Sequence, residues 1–83
     1  LHQNYPNPFN PNTNIGYQIP ERSFVILKVF DALGNEIETL VNKELEAGSY
    51  QNTFDAEGLS SGTYFYQLKT GKYLRTMKMI LLK

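Results

Sequence analysis

The sequence predicts an all-β protein, an antiparallel β-sandwich of about seven strands. Three observations support this prediction. Apolar and polar residues alternate in short runs, which is the two-residue period of a half-buried strand. Turn-forming residues separate these runs roughly every 8–12 residues, the spacing typical of sandwiches. No stretch keeps a helical period for more than one turn.

The N-terminal segment, residues 1–14, is predicted to be an extended lead-in that packs on the sandwich. From Gln3 to Asn14 it holds three of the four prolines and five asparagines. Proline fixes φ and disfavours helix in the preceding residue, and asparagine forms local side-chain turns. Tyr5 and Phe9 favour a packed segment, because free linkers are usually rich in Gly and Ser and lack aromatic residues.

Strands are predicted from the alternation that follows the lead-in. The alternating runs are 15–19, 24–30, 37–41, 50–54, 64–68 and 73–82, with turns at 31–35, 44–48, 55–62 and Gly71. At 83 residues the chain can bury roughly 60% of the surface that it exposes when unfolded. Residues 1–83 are therefore expected to form one domain.

Composition excludes several function classes. Eight Lys and Arg residues balance eight Asp and Glu residues, which argues against binding of nucleic acid or an anionic membrane surface. The absence of Cys excludes disulfides and thiolate chemistry, and the single histidine, His2, lies near the N-terminus. No apolar run approaches the ~20 residues of a membrane-spanning helix. We expect a chain that is not an enzyme, holds no cofactor or metal, and does not span a membrane.

A tyrosine corner is predicted after the longest connection. Leu59 and Gly62 precede Tyr64, which opens a strand, and this spacing is typical of a Tyr whose hydroxyl bonds back to backbone a few residues upstream. Such a bond holds the crossover between sheets. The alternative is that Tyr64 is an ordinary half-buried strand aromatic.

Candidate catalytic groups are few. Glu36 with Glu38, and Glu44 with Glu46, are spaced to share a strand face, and such pairs can serve acid–base chemistry or bind calcium. The favoured interpretation is a solvated face beside a turn. No Gly-x-Ser-x-Gly motif is present to make a nucleophile of a serine.

Six Tyr and five Phe residues raise the possibility of a sugar-binding platform. Most of them fall at positions that the alternation turns inward, and a core this small needs their rings. There is no Trp. A carbohydrate-binding module is therefore the weakest of the functions considered.

Charge is distributed unevenly along the chain. Residues 1–57 carry three basic residues and all eight acids, whereas residues 58–83 carry five basic residues and no acid. The five are Lys69, Lys72, Arg75, Lys78 and Lys83. Two interpretations stand side by side: the basic last strands pair with acidic neighbours across the sheet, or they offer a basic edge to a receptor.

Several motifs, in this order, resemble the C-terminal sorting domain of the bacterial type IX secretion system. They are Gln3–Pro11, Thr13-x-Ile15-x-Tyr17-x-Ile19-Pro20, Val29-Phe30-Asp31-x-Leu33-Gly34, Ala47-Gly48, Leu59–Tyr66 and the basic-apolar ending Lys78–Lys83. The resemblance covers nearly the whole chain. Each motif is weak alone, and their order and spacing make the resemblance specific.

This resemblance implies an Ig-like sandwich that follows an upstream cargo domain in the same chain. It implies recognition by the outer-membrane translocon after passage through the periplasm. In many members a sortase-like protease then removes the domain, and the cargo is secreted or attached to the cell surface. Lys78, Met79, Leu81 and Lys83 correspond to the family's terminal motif. An alternating strand there can lie at a sheet edge, where free backbone groups could pair with a receptor strand.

The sequence departs from the family pattern at Asn52, where an aliphatic residue is expected on the inward face. A buried Asn needs hydrogen-bond partners, so the register of this strand is left open. The rival function to a sorting signal is a structural or adhesive Ig-like module within a larger extracellular protein.

Overall fold

The structure, a computed structural model, describes all 83 residues and contains six strands and no helix. In chain order the strands are β1 (Asn12–Ile19), β2 (Ser23–Asp31), β3 (Glu36–Leu45), β4 (Gly48–Asp55), β5 (Gly62–Lys69) and β6 (Leu74–Leu81). The predicted all-β fold is confirmed, and the estimate of seven strands is one too high. Prolines interrupt the lead-in, so it forms only isolated bridges, from Tyr5 to Asn14 and from Phe9 to Leu81.

Two antiparallel sheets make up the sandwich. One sheet pairs β1 with β4, and the other has the order β3-β2-β5-β6. Between them lies a core of 15 buried apolar residues. The alternation seen in the sequence sets this layering, since Val25, Leu27 and Val29 of β2 are all fully buried while their neighbours are not.

The predicted turn at 44–48 is too long. β3 continues to Leu45, paired with Ser23, so only two residues separate β3 from β4. The turn between β2 and β3 is where sequence predicted it. There Asp31 accepts hydrogen bonds from the backbone N–H groups of Leu33 and Asn35, each at 2.9 Å, and Gly34 takes the positive φ of 89° that the turn requires.

Five of the eleven aromatic rings lie in the core. Phe9, Tyr17, Phe54, Tyr64 and Tyr66 are buried. The rings of Phe9 and Phe54 meet edge-to-face, with centroids 6.2 Å apart. The inward positions assigned by alternation thus hold the large side chains that a small core needs.

Asn52 sits in the expected register and is satisfied by a neighbour. β4 pairs with β1 without a shift, so Asn52 lies opposite Ile15 on the inward face. The hydroxyl of Tyr17 donates to its Oδ1 atom at 2.7 Å. Tyr17 also stacks on Tyr50, with centroids 5.7 Å apart. Asn52 is only partly buried, and this hydrogen bond explains how it replaces an aliphatic residue.

The lead-in packs on the sandwich through the buried hydroxyl of Tyr66. This oxygen accepts from the backbone N–H of Asn4 and donates to the carbonyl of His2, both at 2.8 Å. The Asn4 side chain in turn donates to Thr13 Oγ1 at 3.0 Å and to the Pro6 carbonyl at 3.1 Å. Asn4 and Thr13 are the two buried polar residues, and each is satisfied by this network.

The connection from β4 to β5 passes from one sheet to the other, and Tyr64 spans it. Its hydroxyl donates to the carbonyl of Ser60 at 2.6 Å, four residues upstream. Leu59 packs against the core, and Gly62 opens β5 with a positive φ of 153°. This is the hydrogen bond that a tyrosine corner requires.

We predict that the isolated chain folds as a monomer with a β-type circular dichroism spectrum and almost no helical signal. The reason is that the core is complete within one chain and contains no helix. Far-ultraviolet spectra and sedimentation would check this. A mainly helical or disordered spectrum would contradict the fold.

Replacing Tyr64 with Phe is expected to lower the free energy of unfolding by about 1–2 kcal/mol, because the Ser60 carbonyl loses its partner in a partly buried site. Denaturant unfolding measures the change. The control is Tyr5→Phe at a ring that is 79% exposed. Equal midpoints for the two variants would show that Tyr64 acts only as a strand aromatic.

Alkaline pH should destabilise the protein through its buried tyrosines. Burial raises the pKa of Tyr66, outweighing the opposing effects of the Asn4 N–H and of Arg75. Burial, and then the neighbouring Tyr50, raise the pKa of Tyr17. The ordinary pKa of tyrosine is 10.0, and the folded-state pKa of these two hydroxyls is higher. The stability that the neutral hydroxyls contribute is therefore fully present below pH 10 and is lost as pH rises through the folded-state pKa.

Melting temperatures measured from pH 8 to above pH 10 test this. Tyr66→Phe should melt lower at every pH, because it loses two hydrogen bonds, but should show a shallower decline at alkaline pH. A decline as steep as that of the unmodified protein would rule out Tyr66 as its source.

Candidate recognition surface around the terminal strand

The four residues predicted at the terminal motif divide between the core and the surface. β6 lies at one edge of the four-stranded sheet. Met79 and Leu81 point inward and are 0% exposed, whereas Lys78 and Lys83 are exposed. A partner that meets the folded domain can therefore contact the two lysines but not the two apolar side chains between them.

The lead-in covers the outer edge of β6 over its last residues. The N–H of Phe9 donates to the carbonyl of Ile80, and the N–H of Leu82 donates to the carbonyl of Phe9, both at 3.0 Å. Asn7 Oδ1 accepts from the N–H of Ile80 at 2.9 Å. The expectation that backbone groups of the terminal motif are free for a receptor strand is therefore wrong along this stretch.

Sequence reasoning did not identify Gln3 and Asn7 as partners of the terminal strand. Gln3 Nε2 donates to the carbonyl of Lys78 at 2.8 Å, beside the Asn7 contact. The available signal was Phe9, an aromatic residue in a segment otherwise made for turns. That signal indicates packing but does not say which strand the segment packs against.

Acidic and basic strands lie at opposite edges of the four-stranded sheet. β3 carries Glu36, Glu38 and Glu44, and β6 carries Arg75 and Lys78, with β2 and β5 between them. The three ion pairs of the structure all use basic residues from before residue 58: Arg22 with Glu44 at 3.2 Å, Arg22 with Glu46 at 2.9 Å, and Lys28 with Glu36 at 3.0 Å.

None of the five basic residues after residue 57 forms an ion pair. Cross-strand pairing, one of the two interpretations of the charge distribution, is therefore wrong for these residues. For Arg75 and Lys78 of β6 the sheet order is the physical reason, because two strands separate this edge from the acidic one. The basic edge is left with an unneutralised positive potential that can attract an acidic partner.

All four paired carboxylates lie on the surface, and three of them, Glu36, Glu44 and Glu46, contact a basic residue. Hydrogen bonding from Lys28, and then from Thr39, lowers the pKa of Glu36. Arg22 contacts Glu44 and Glu46 together. No group of three His, Cys, Asp or Glu side chains is close enough to hold a metal ion.

A groove of about 970 Å³ lies at the end of the sandwich near Ile19, Leu68 and Tyr73. Its only charged side chains are those of Glu21 and Lys72. The structure also contains no helix with the length and apolar character needed to cross a membrane.

Comparison with known proteins identifies the family. The Secretion system C-terminal sorting domain matches residues 3–83, which include the lead-in, both sheets and the terminal strand. Searches of curated proteins and of solved structures found no significant match. Because the family match spans nearly every residue, the chain belongs to the secretion-system C-terminal sorting domains, the sorting signals of type IX secretion.

Proposed function

We propose that this domain sorts its cargo by presenting a folded, basic surface to the outer-membrane translocon, without any catalysis of its own. Membership of a sorting-domain family gives the general role, which is export to the cell surface or beyond. Residues 1–83 act as one signal unit. The single observation that supports this specific route is the set of five basic residues without ion-pair partners around β5 and β6.

In this proposal the cargo crosses the periplasm attached to the domain, and the translocon then binds the basic edge. Lys78 and Lys83 are the exposed members of the terminal motif, so they make the contact, while Met79 and Leu81 hold the strand in place. A sortase-like protease is the partner that removes the domain afterwards. The hydrolytic chemistry of that step belongs to the protease.

Deleting Lys78–Lys83 should leave cargo in the periplasm. This variant can lose export either because the domain no longer folds or because the translocon no longer recognises it. The deletion removes Met79 and Leu81, both 0% exposed, and losing buried side chains of this size costs about 2–5 kcal/mol each. A domain of this size has little more stability than that. The deletion therefore tests folding together with recognition, and substitutions are needed to separate them.

We predict that Lys78→Glu with Lys83→Glu keeps the fold but slows export. Exposed charges usually change stability by no more than about 0.5 kcal/mol, whereas reversing two charges should weaken attraction to an acidic partner. The readout is cargo in the medium or on the cell surface against cargo in the periplasm, with the melting temperature of the purified domain.

The matched control is Lys43→Glu with Ser49→Glu and Gln51→Glu, which makes the same change in net charge at exposed positions outside the five unpaired basic residues. Slow export of the first variant and normal export of the control, at equal melting temperatures, supports the proposal. Normal export of both would show that the lysines of the terminal motif are not recognised.

A further inference from the structure

The two sheets of the sandwich present different outer faces to solvent. On the β1–β4 sheet every outward side chain is polar: Asn12, Asn14, Gln18, Ser49, Gln51, Thr53 and Asp55. On the four-stranded sheet six outward side chains are apolar: Phe24, Ile26, Phe30, Phe65, Leu74 and Ile80. A row of Lys28, Gln67 and Thr76 separates Phe24, Ile26 and Leu74 from Phe30, Phe65 and Ile80. A solvated antiparallel face is normally polar, so the second apolar group indicates a contact surface.

Two residues of the terminal motif, Lys78 and Ile80, lie on this face of the sheet. Lys78 pairs directly with Phe65 across β5 and β6, and Phe65 pairs with Phe30 across β2 and β5. Ile80 follows two residues after Lys78 on the same side of β6. Residues opposite each other in an antiparallel pair have Cβ atoms roughly 4.5–5.5 Å apart. We name Phe30, Phe65, Lys78 and Ile80 the outer-face patch.

A shallow depression of about 240 Å³ adjoins this patch. Phe30 and Phe65 form its apolar part, and Gln67 and Thr76 line the side toward β6. A depression of this size can receive one apolar side chain of a partner, which is how central residues of an interface usually dock.

The outer-face patch carries one positive charge, that of Lys78, which is free to pair with a carboxylate of a partner. Lys78 has no ion-pair partner, whereas Lys28, on the same face, is paired with Glu36 at 3.0 Å. Asp31 also borders the depression. Its carboxylate is occupied within its own turn by Asn35, which donates from its backbone and side chain, and by the N–H of Leu33.

Backbone pairing is not open to a partner at the terminal motif, because Phe9, Asn7 and Gln3 already bond the outer edge of Lys78–Leu82. A partner can therefore recognise the terminal motif only through its side chains. Of the residues in that stretch, Lys78 and Ile80 are the two that stand on the apolar face.

We propose that the outer-face patch docks an acidic protein surface of the export machinery, in which carboxylates that meet Lys78 flank an apolar side chain that enters the depression between Phe30 and Phe65. This inference rests on the proposed function, since it names the surface and the chemistry of the partner. It goes beyond the proposed function by placing the contact on one face of the four-stranded sheet.

The test places a photo-crosslinking benzophenone residue in the full cargo chain during export by a type IX-positive bacterium. One position is Thr76, exposed on the outer face beside the depression, and the control position is Gln51 on the polar face of the β1–β4 sheet. Phe65→Gln with Lys78→Glu is the disrupting variant. Phe65→Gln with Lys72→Glu keeps the same net charge but leaves Lys78 in place.

We expect a crosslink from position 76, to a partner peptide rich in Asp or Glu, and none from position 51. The disrupting variant should lower its yield by about tenfold or more, as loss of interface anchors does, and the Lys72 variant should lower it less. Melting temperatures of the purified variants verify that each is folded.

Several results would overturn the patch. One is a crosslink to a second copy of the chain or to its own cargo, and another is a crosslinked partner peptide without acidic residues. Equal crosslink yields from positions 76 and 51, or a crosslink yield that the disrupting variant leaves unchanged, would also contradict the proposal. Export of the unmodified cargo is scored separately. Normal export without the position-76 crosslink would contradict the role of the outer-face patch but not the sorting role. Cargo that stays in the periplasm although the domain is intact would contradict the proposed function itself.

Discussion

The attachment of the N-terminal lead-in to the last strand is the interaction on which the arrangement of the recognition surface depends. Phe9 is buried in the core and bonds through its backbone to Ile80 and Leu82. Asn4 bonds to the hydroxyl of Tyr66 on the neighbouring strand. These contacts join segments more than 60 residues apart in the chain. They close an edge that would otherwise be open to pairing, whereas the pairing of β6 with β5 sets which of its side chains face solvent.

With that edge closed, the terminal motif has two separate physical roles. Met79 and Leu81 contribute to folding, and Lys78 and Lys83 contribute to the surface potential. The sheet order adds a second constraint, because it places the acidic strand β3 and the basic strand β6 at opposite edges. A chain with no net charge therefore keeps a locally positive surface.

Sequence patterns predicted the features that depend on local order. Two-residue alternation assigned the inward rings of Tyr17, Phe54 and Tyr66, and the spacing before Tyr64 indicated its bond to the Ser60 carbonyl. Features set by distant partners could not be predicted in this way. The extent of β3 depends on its pairing with β2, which includes two register shifts, and Asn52 is accommodated by Tyr17, 35 residues away.

In the proposed function the translocon recognises a folded surface rather than a linear C-terminal sequence. The most direct measurement is the fraction of a foreign periplasmic protein found outside the cell when it is fused ahead of residues 1–83, compared with a fusion carrying Leu27→Asn and Val29→Asn. Both substitutions fall at fully buried positions and leave the charge and the terminal motif unchanged. We expect the intact domain to carry its passenger outside and the core variant, present at equal amounts by immunoblot, to leave it in the periplasm. Equal export of the two fusions would contradict it.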